Sequence, residues 1–225
     1  MSFSSEWEQR YAESTHLSVW PWSDVVSLVH RHLKPILMAG GGRVLELGSG
    51  AGANIPLFIS LGMDYYGIEG SPTIVKKLHQ RYPDLIQNII EADFTTRQPF
   101  EGRFDLVLDR ASLTHNNTVS IRSALQIVSD ALKPDGIFIG SDWFSMNHSD
   151  FLSGEAVDDD FTRTAYSKGQ FTGVGKVHFS NALHLRDLFS NFEILFIEEK
   201  LMRRYEPQDN HQFASWNIVA RKPHA

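Results

Sequence analysis

The sequence predicts an α/β protein built on a doubly wound, mostly parallel sheet of seven strands with helices on both faces. Three observations carry that. Short apolar runs and apolar stripes of helical period alternate five times between residues 43 and 139, the pattern of strands joined by crossover helices. Phe104–Leu108 is a nearly continuous apolar run, as expected of a strand covered on both faces. Two more strand-like runs, Ile194–Ile197 and Trp216–Ala220, follow a helical stretch over Ser180–Phe189.

In chain order, residues 5–13 read as a short helix with Trp7 and Tyr11 one turn apart. Residues 14–22 read as loop, with Trp20 and Trp22 expected to pack the N-terminal helices onto the sheet. Ser23 is placed to cap a second helix whose apolar face is Val25, Val26, Leu28, Val29 and Leu33; Lys34-Pro35 and Gly40-Gly41-Gly42 end it. Arg43–Leu47 is a buried strand that stops in Gly48-Ser49-Gly50-Ala51-Gly52. Pro56 then sits in a first helical turn, followed by Leu57, Phe58 and Leu61 and closed by Gly62. Tyr65–Glu69 is the second strand, and Ser71-Pro72 open a helix with Ile74, Val75 and Leu78 inward. Ile89-Ile90 end in Glu91-Ala92-Asp93-Phe94, and Phe104–Leu108 in Asp109-Arg110. Asn116 or Asn117 caps a helix carrying Ile121, Leu125, Val128 and Leu132. Lys133–Gly136 is a turn before the fifth strand, Ile137–Ile139.

Residues 145–179 show no period and read as a long loop, a lid-like insertion; loops of that length are often functional. Asp158-Asp159-Asp160 within it reads as a solvated run rather than a cation site, and no metal-ligand spacing stands out, so no metal is expected. Residues 1–42 are expected to form a helical cover segment and residues 43–225 the main domain.

The 225 residues are enough for one well-buried domain with an insertion. A net charge of −6 without a basic run argues against nucleic acid as a partner. The absence of cysteine excludes disulfides and thiolate chemistry. The N-terminus lacks the apolar run of a secretory signal and no stretch reaches membrane-spanning length, so the expectation is a cytoplasmic protein without a membrane partner; the oligomeric state is not readable.

The glycine turn after the first strand is where chemistry is expected. A strand that turns through glycines into a helix leaves backbone N–H groups facing outward, a seat for a polar ligand. Gly48, Gly50 and Ala53 fit the dinucleotide fingerprint, which implies an NAD(P)-dependent oxidoreductase; Glu46, Gly48, Gly50 and Gly52 fit the E-x-G-x-G-x-G of class I S-adenosylmethionine (SAM) methyltransferases. A turn that binds nothing is the bland alternative. The other strand ends weigh on the choice. Glu69, about 20 residues beyond the glycines, is placed to accept ribose hydroxyls. Asp93 can accept from an exocyclic amine while the Phe94 N–H donates to a ring nitrogen, matching an adenine edge. Glu46 and Asp109 would repel a pyrophosphate but suit a sulfonium and an ammonium. Taken singly, Asp109 could be a turn cap and Glu46 an ion-pair partner of Arg43.

VLELGSGAGANI, YYGIEGSP, IIEADF, FDLVLDRASLTHN and LKPDGIFIGSDW together resemble the successive motifs of class I SAM-dependent methyltransferases, in family order over about residues 43–143. The resemblance implies that the last two strands form a C-terminal antiparallel hairpin. It implies SAM as cofactor, with Gly48, Ser49, Gly50 and Gly52 under the methionine portion, Glu69 on the ribose, Asp93 and Phe94 on the adenine, and Glu46 and Asp109 near the charged end. Gly70 departs from the pattern, since many members put a bulky residue there against the adenine. WEQRY at Trp7–Tyr11 is similar to the N-terminal cover of members that methylate small molecules, which makes a small-molecule acceptor, methylated on oxygen or nitrogen, the expected partner. His115 is the candidate base, against a plain helix-entry histidine; His178 and His184 are lesser candidates. Tyr11, Trp143 and Phe144 are expected to line the acceptor pocket. A protein that binds SAM without catalysis is a further alternative.

Overall fold

The computed structural model describes residues 5–12 and 17–224. Its helices are α1 (Ser5–Ala12), α2 (Ser23–His32), α3 (Lys34–Met38), α4 (Ile55–Ser60), α5 (Pro72–Arg81), α6 (Thr118–Ala131) and α7 (Ala182–Leu188). Its strands are β1 (Arg43–Leu47), β2 (Asp64–Glu69), β3 (Ile89–Glu91), β4 (Phe104–Arg110), β5 (Leu132–Phe144), β6 (Glu155–Val157), β7 (Asp159–Thr164), β8 (Val177–His178), β9 (Glu193–Arg203) and β10 (Gln212–Arg221). Glu13 of the expected first helix and residues 14–16 of the expected loop lie outside the described residues.

Seven strands form the main sheet in the order β3-β2-β1-β4-β5-β10-β9. The first five run parallel, and β10 is antiparallel to both β5 and β9. The expected mostly parallel sheet and C-terminal antiparallel hairpin are therefore present. Strand order reverses between β1 and β4, so the carboxyl ends of β1 to β4 share one rim beside the switch point, where such sheets open a crevice.

Alternation along the strands feeds two cores. Val44, Ile137 and Ile139 meet Val29 of α2, Phe58 of α4 and Ile74 of α5 on one face. Leu45, Phe138 and Ile68 meet Ile121 and Leu125 of α6 and Leu185 of α7 on the other. Both faces of the central strands are thus covered, which is why those strands read as unbroken apolar runs. Two caps form as expected: Ser71 accepts from the Ile74 N–H, and Asn117 from the Ser120 N–H.

Four local expectations are corrected or refined. Trp22, not Ser23, is the N-cap of α2, and it offers no side-chain cap. α2 does end just before Lys34-Pro35, at His32, but helix resumes there: proline opens the short α3, since its missing N–H has no partner in a first turn anyway. Lys133–Gly136 bulges out within β5, between the Leu132–Phe104 and Ile137–Leu106 pairs, and Asp135 takes φ +59° there. Residues 145–179 are not an irregular loop. They hold the antiparallel sheet β6-β7-β8 around a core of Phe144, Phe151, Tyr166, Phe171, Val177 and Phe179. The strands are too short to show a period, and the buried rings Phe151, Tyr166, Phe171 and Phe179 come from the segments around them.

Two of the three aspartates tie that insertion to the start of α6, while Asp158 and Asp160 stay exposed, as expected of a solvated run. Asp159 accepts from the Thr118 N–H at 2.8 Å, at the start of α6, and Asp158 accepts from Asn117 Nδ2 at 3.0 Å and from Lys176. Asp159→Ala removes a helix-end acceptor and is expected to lower stability by about 1–2 kcal/mol in urea denaturation.

Candidate active site

A cavity of about 490 Å³ opens at the carboxyl rim, covered by α1 on one side and the insertion on the other. Its floor is the glycine turn. Gly48 has φ +65°, and a Cβ there would fall 2.1 Å from Ser112 Oγ, so only glycine brings the chain this close. Gly52 shapes the turn but does not line the cavity: a Cβ on it would meet Leu78 at 2.7 Å, inside the core. Ser49 lines the floor, and its buried Oγ has no protein partner.

Glu69 ends β2 and stands over that floor. Its Oε2 accepts from the Gly50 N–H at 2.8 Å and its Oε1 from the Ser71 N–H at 3.0 Å. Glu69 lines the cavity, and a carboxylate has acceptor capacity beyond these two bonds. Burial pushes its pKa up while the amides pull it down. Asp93 and Phe94 line the neighbouring wall, and the Asp93 carboxylate is set by Thr95, whose N–H and Oγ1 donate to Oδ1 at 2.9 and 2.6 Å. Gly70 lines the same end without a side chain.

Glu46 also lines the cavity, accepting from Tyr65 OH at 2.6 Å and Asn54 Nδ2 at 2.7 Å. It makes no pair with Arg43, whose guanidinium lies 4.5 Å over the Tyr66 ring instead. Burial lifts the Glu46 pKa to about 7.

Besides Gly52, two expected site residues, Asp109 and Trp143, are placed elsewhere. Asp109 is fully buried and does not line the cavity. It accepts from the Ser112 and Leu113 N–H groups at 3.2 and 3.0 Å and from Trp143 Nε1 at 2.7 Å, capping the turn that carries His115. Burial raises its pKa to about 7. Trp143 is likewise fully buried, packed on Phe138 and Phe189. The reason is a β-bulge. Ser141 and Asp142 together oppose Asn217, and Asp142 has φ +55°. The extra residue shifts the alternation, so Trp143 turns into the core and Phe144 takes the cavity wall.

His115 lines the cavity, edge-on to Trp7 at 4.9 Å. Its Nδ1 lies 3.1 Å from the Lys176 carbonyl. A carbonyl only accepts, so Nδ1 carries the proton and Nε2 keeps its lone pair. Burial lowers its pKa to about 4. Tyr11 lines the site as expected, 5.7 Å from Trp7. His178 and His184 do not line it: their Nε2 atoms lie 3.1 Å apart under Phe161, which stacks on His184.

Part of the cavity lining was not marked in the sequence. Trp22 lines the cavity beneath the Arg110 guanidinium, 3.7 Å from its ring, while Trp20 is 74 % exposed and packs neither helix nor sheet. Arg110 is held by Asp142 at 3.0 Å and keeps a buried Nε without a partner. Its place beside Asp109 at a strand end was a usable signal. Phe171 of the insertion and Phe213 of β10 carried none.

The floor suits an adenosyl sulfonium better than a dinucleotide. The amide a pyrophosphate would need at Gly50 is already given to Glu69, and Glu46 adds negative charge beside it. The donor and acceptor set of Glu69, Asp93 and the Phe94 backbone fits a ribose and an adenine edge.

Comparison with known proteins agrees. The pattern of the methyltransferase domain family matches residues 45–140. Curated proteins yield no match in sequence. Among solved structures, a SAM-dependent methyltransferase from Methanosarcina mazei is similar at 17% identity and TM-score 0.69, covering 92% of this chain and 100% of its own. The N-methyltransferase NodS from Bradyrhizobium japonicum, in complex with S-adenosylhomocysteine, is similar at 14% identity and TM-score 0.62, covering 98% and 100%. The 1,6-didemethyltoxoflavin N1-methyltransferase of Burkholderia thailandensis, with 1,6-didemethyltoxoflavin and S-adenosylhomocysteine bound, is similar at 17% identity and TM-score 0.60, covering 97% and 84%. Among the described residues no helix is long and apolar enough to cross a membrane. Residues 45–140 carry the methyltransferase-domain pattern, and the described chain has the fold of the class I SAM-dependent methyltransferases.

Proposed function

We propose that this protein is a SAM-dependent methyltransferase acting on an oxygen or nitrogen of a small molecule. The observation that carries the reading is the convergence of Glu69, Asp93, Glu46 and the bare glycine turn in one covered cavity. SAM supplies a methyl group on a cationic sulfur, open to in-line displacement. Glu69 receives the ribose hydroxyls on the lone pairs its two backbone partners leave over. Asp93 takes the adenine amine and the Phe94 N–H a ring nitrogen. Glu46, in ionised form, offsets positive charge at the far end.

The acceptor occupies the aromatic half, between Tyr11, Phe144 and Phe171. With a pKa near 4, His115 is neutral at pH 7. Its Nε2 is a hydrogen-bond acceptor that orients an O–H or N–H of the acceptor and takes up its proton as the methyl group arrives. Arg110 gives that half a positive charge, which suits an acceptor with an acidic group. The covers over both ends keep water from competing. The toxoflavin enzyme, which holds its small acceptor beside S-adenosylhomocysteine, supports an acceptor of that size.

Three outcomes are expected. Glu69→Ala loses charge-assisted bonds to the ribose worth about 1.5–3 kcal/mol, so calorimetry is expected to show SAM binding weakened roughly 10–100-fold. Unchanged affinity would remove the role given to Glu69. A protonated Glu46 must release its proton to solvent before it can face a cation, so SAM affinity is expected to rise as pH increases through 7, with up to about tenfold lost per pH unit below it. Glu46→Gln is expected to flatten that dependence. With methyl-labelled SAM and a panel of phenols, carboxylic acids and amines, transfer to at least one is expected. His115→Ala is expected to lower kcat about 10²-fold or more while SAM binding holds. No transfer to any of the panel would contradict the reading.

A further inference from the structure

Behind the aromatic wall of the cavity three potential metal ligands converge. His148 and Asp150 lie just past β5, at the start of the insertion, and His211 ends the connection between β9 and β10. One ligand atom from each lies within 4.8 Å of the others. His148 is 1 % exposed and Asp150 5 %. Even so, His148 Nε2 and Asp150 Oδ2 have no protein partner. Buried polar atoms are ordinarily paired, so both point to an occupant. A plain ion pair accounts for one contact only, His211 Nε2 to Asp150 Oδ1 at 3.3 Å, and leaves those two atoms unserved. The carboxylate is also hemmed in by bare backbone: a Cβ on Gly169 would fall 2.7 Å from Asp150 Oδ2.

We propose that His148, Asp150 and His211 bind a divalent transition-metal cation of the zinc class. Two imidazoles and a carboxylate are a donor set for such ions, and their combined charge leaves the bound ion only partly neutralised, with a fourth position for water. Ligand atoms around a tetrahedral ion with bonds of about 2.0–2.1 Å stand roughly 3.3–3.4 Å apart. His211 and Asp150 already have that separation, and the third atom closes by no more than about 1.5 Å. The two segments are tied before any ion arrives: the Gln212 N–H donates to Ser149 Oγ at 2.8 Å, and Gln212 Nε2 to the Asn147 carbonyl at 2.9 Å. Loading therefore orders little additional chain. One contact must change. His148 Nδ1 accepts from the Asp150 N–H at 3.1 Å, which leaves the ring proton on Nε2. Ligation through Nε2 moves that proton to Nδ1 and releases the Asp150 amide.

The His148 ring lies 5.2 Å from both Phe171 and Phe213, which line the cavity. A bound ion thus pins the wall of the acceptor half to the β9–β10 connection. The assignment does not depend on what fills the cavity. The two ligand-bearing segments are far apart in the chain, which is why no spacing in the sequence marked them.

The test uses the full-length, tag-free protein after dialysis against chelator. Cobalt(II) is titrated with visible absorption as the readout, then displaced by zinc, with calorimetry for stoichiometry. One equivalent per chain is expected, with the visible bands of tetrahedral nitrogen and oxygen ligation, an upward shift in melting temperature and a displaced Asp150 amide resonance. His211→Ala changes a partly exposed connection and is expected to fold as the parent does. It is expected to weaken binding beyond the roughly 10–100-fold that outer-shell changes alone produce. Asp150→Asn is expected to do the same, and His30→Ala, on an exposed helix face, to do nothing. Absence of saturable binding, or equal affinity in His211→Ala, overturns the proposal.

Discussion

The carboxylate of Glu69 joins three pieces of chain at the rim of the sheet. It closes β2, takes the Gly50 amide from the turn after β1, and takes the Ser71 amide at the start of α5. A carboxylate without those two donors could not stay buried, and a glycine turn without that acceptor would leave an amide unpaired. The two needs meet in one contact, and that contact sets the distance between floor and wall. The proposed cofactor then engages groups already held in place, so binding need not order them.

Around that contact the acidic groups divide their work by depth. Glu69 and Asp93 reach the cavity, and Glu46 reaches it with two hydrogen bonds at its back. Asp109 stays below, where it caps the turn beneath His115 and is locked by Trp143. It acts on the site by placing His115 rather than by touching a ligand. The insertion completes the arrangement from above. It supplies the carbonyl of Lys176 that selects the His115 tautomer, and the Phe171 ring of the acceptor half.

The fold was legible because each strand of the main sheet is an apolar run and each crossover helix has a stripe of the right period. The rim was legible because chain order places Glu69, Asp93 and the glycines at strand ends, and parallel strands bring such ends to one side. What failed has local causes. The bulge opposite Asn217 turned Trp143 into the core and left Phe144 on the cavity wall, and alternation alone cannot reveal an extra residue. Asp109 fits a turn cap and a ligand contact equally well until the Ser112 and Leu113 amides are placed. Residues 145–179 hid a small sheet because its strands have only two to six residues, too short for periodicity to register, and the buried rings Phe151, Tyr166, Phe171 and Phe179 come from the segments around them. Trp22, expected like Trp20 to pack the N-terminal helices, lies instead on the cavity wall beneath the stacked Arg110, while Trp20 is exposed.

The most direct measurement is a crystal structure with S-adenosylhomocysteine. The account predicts both ribose hydroxyls on the Glu69 carboxylate, the adenine edge on Asp93 and the Phe94 N–H, and the sulfur over the glycine turn facing the His115 half of the cavity. A ribose away from Glu69, or an adenine outside the Asp93 wall, would contradict it.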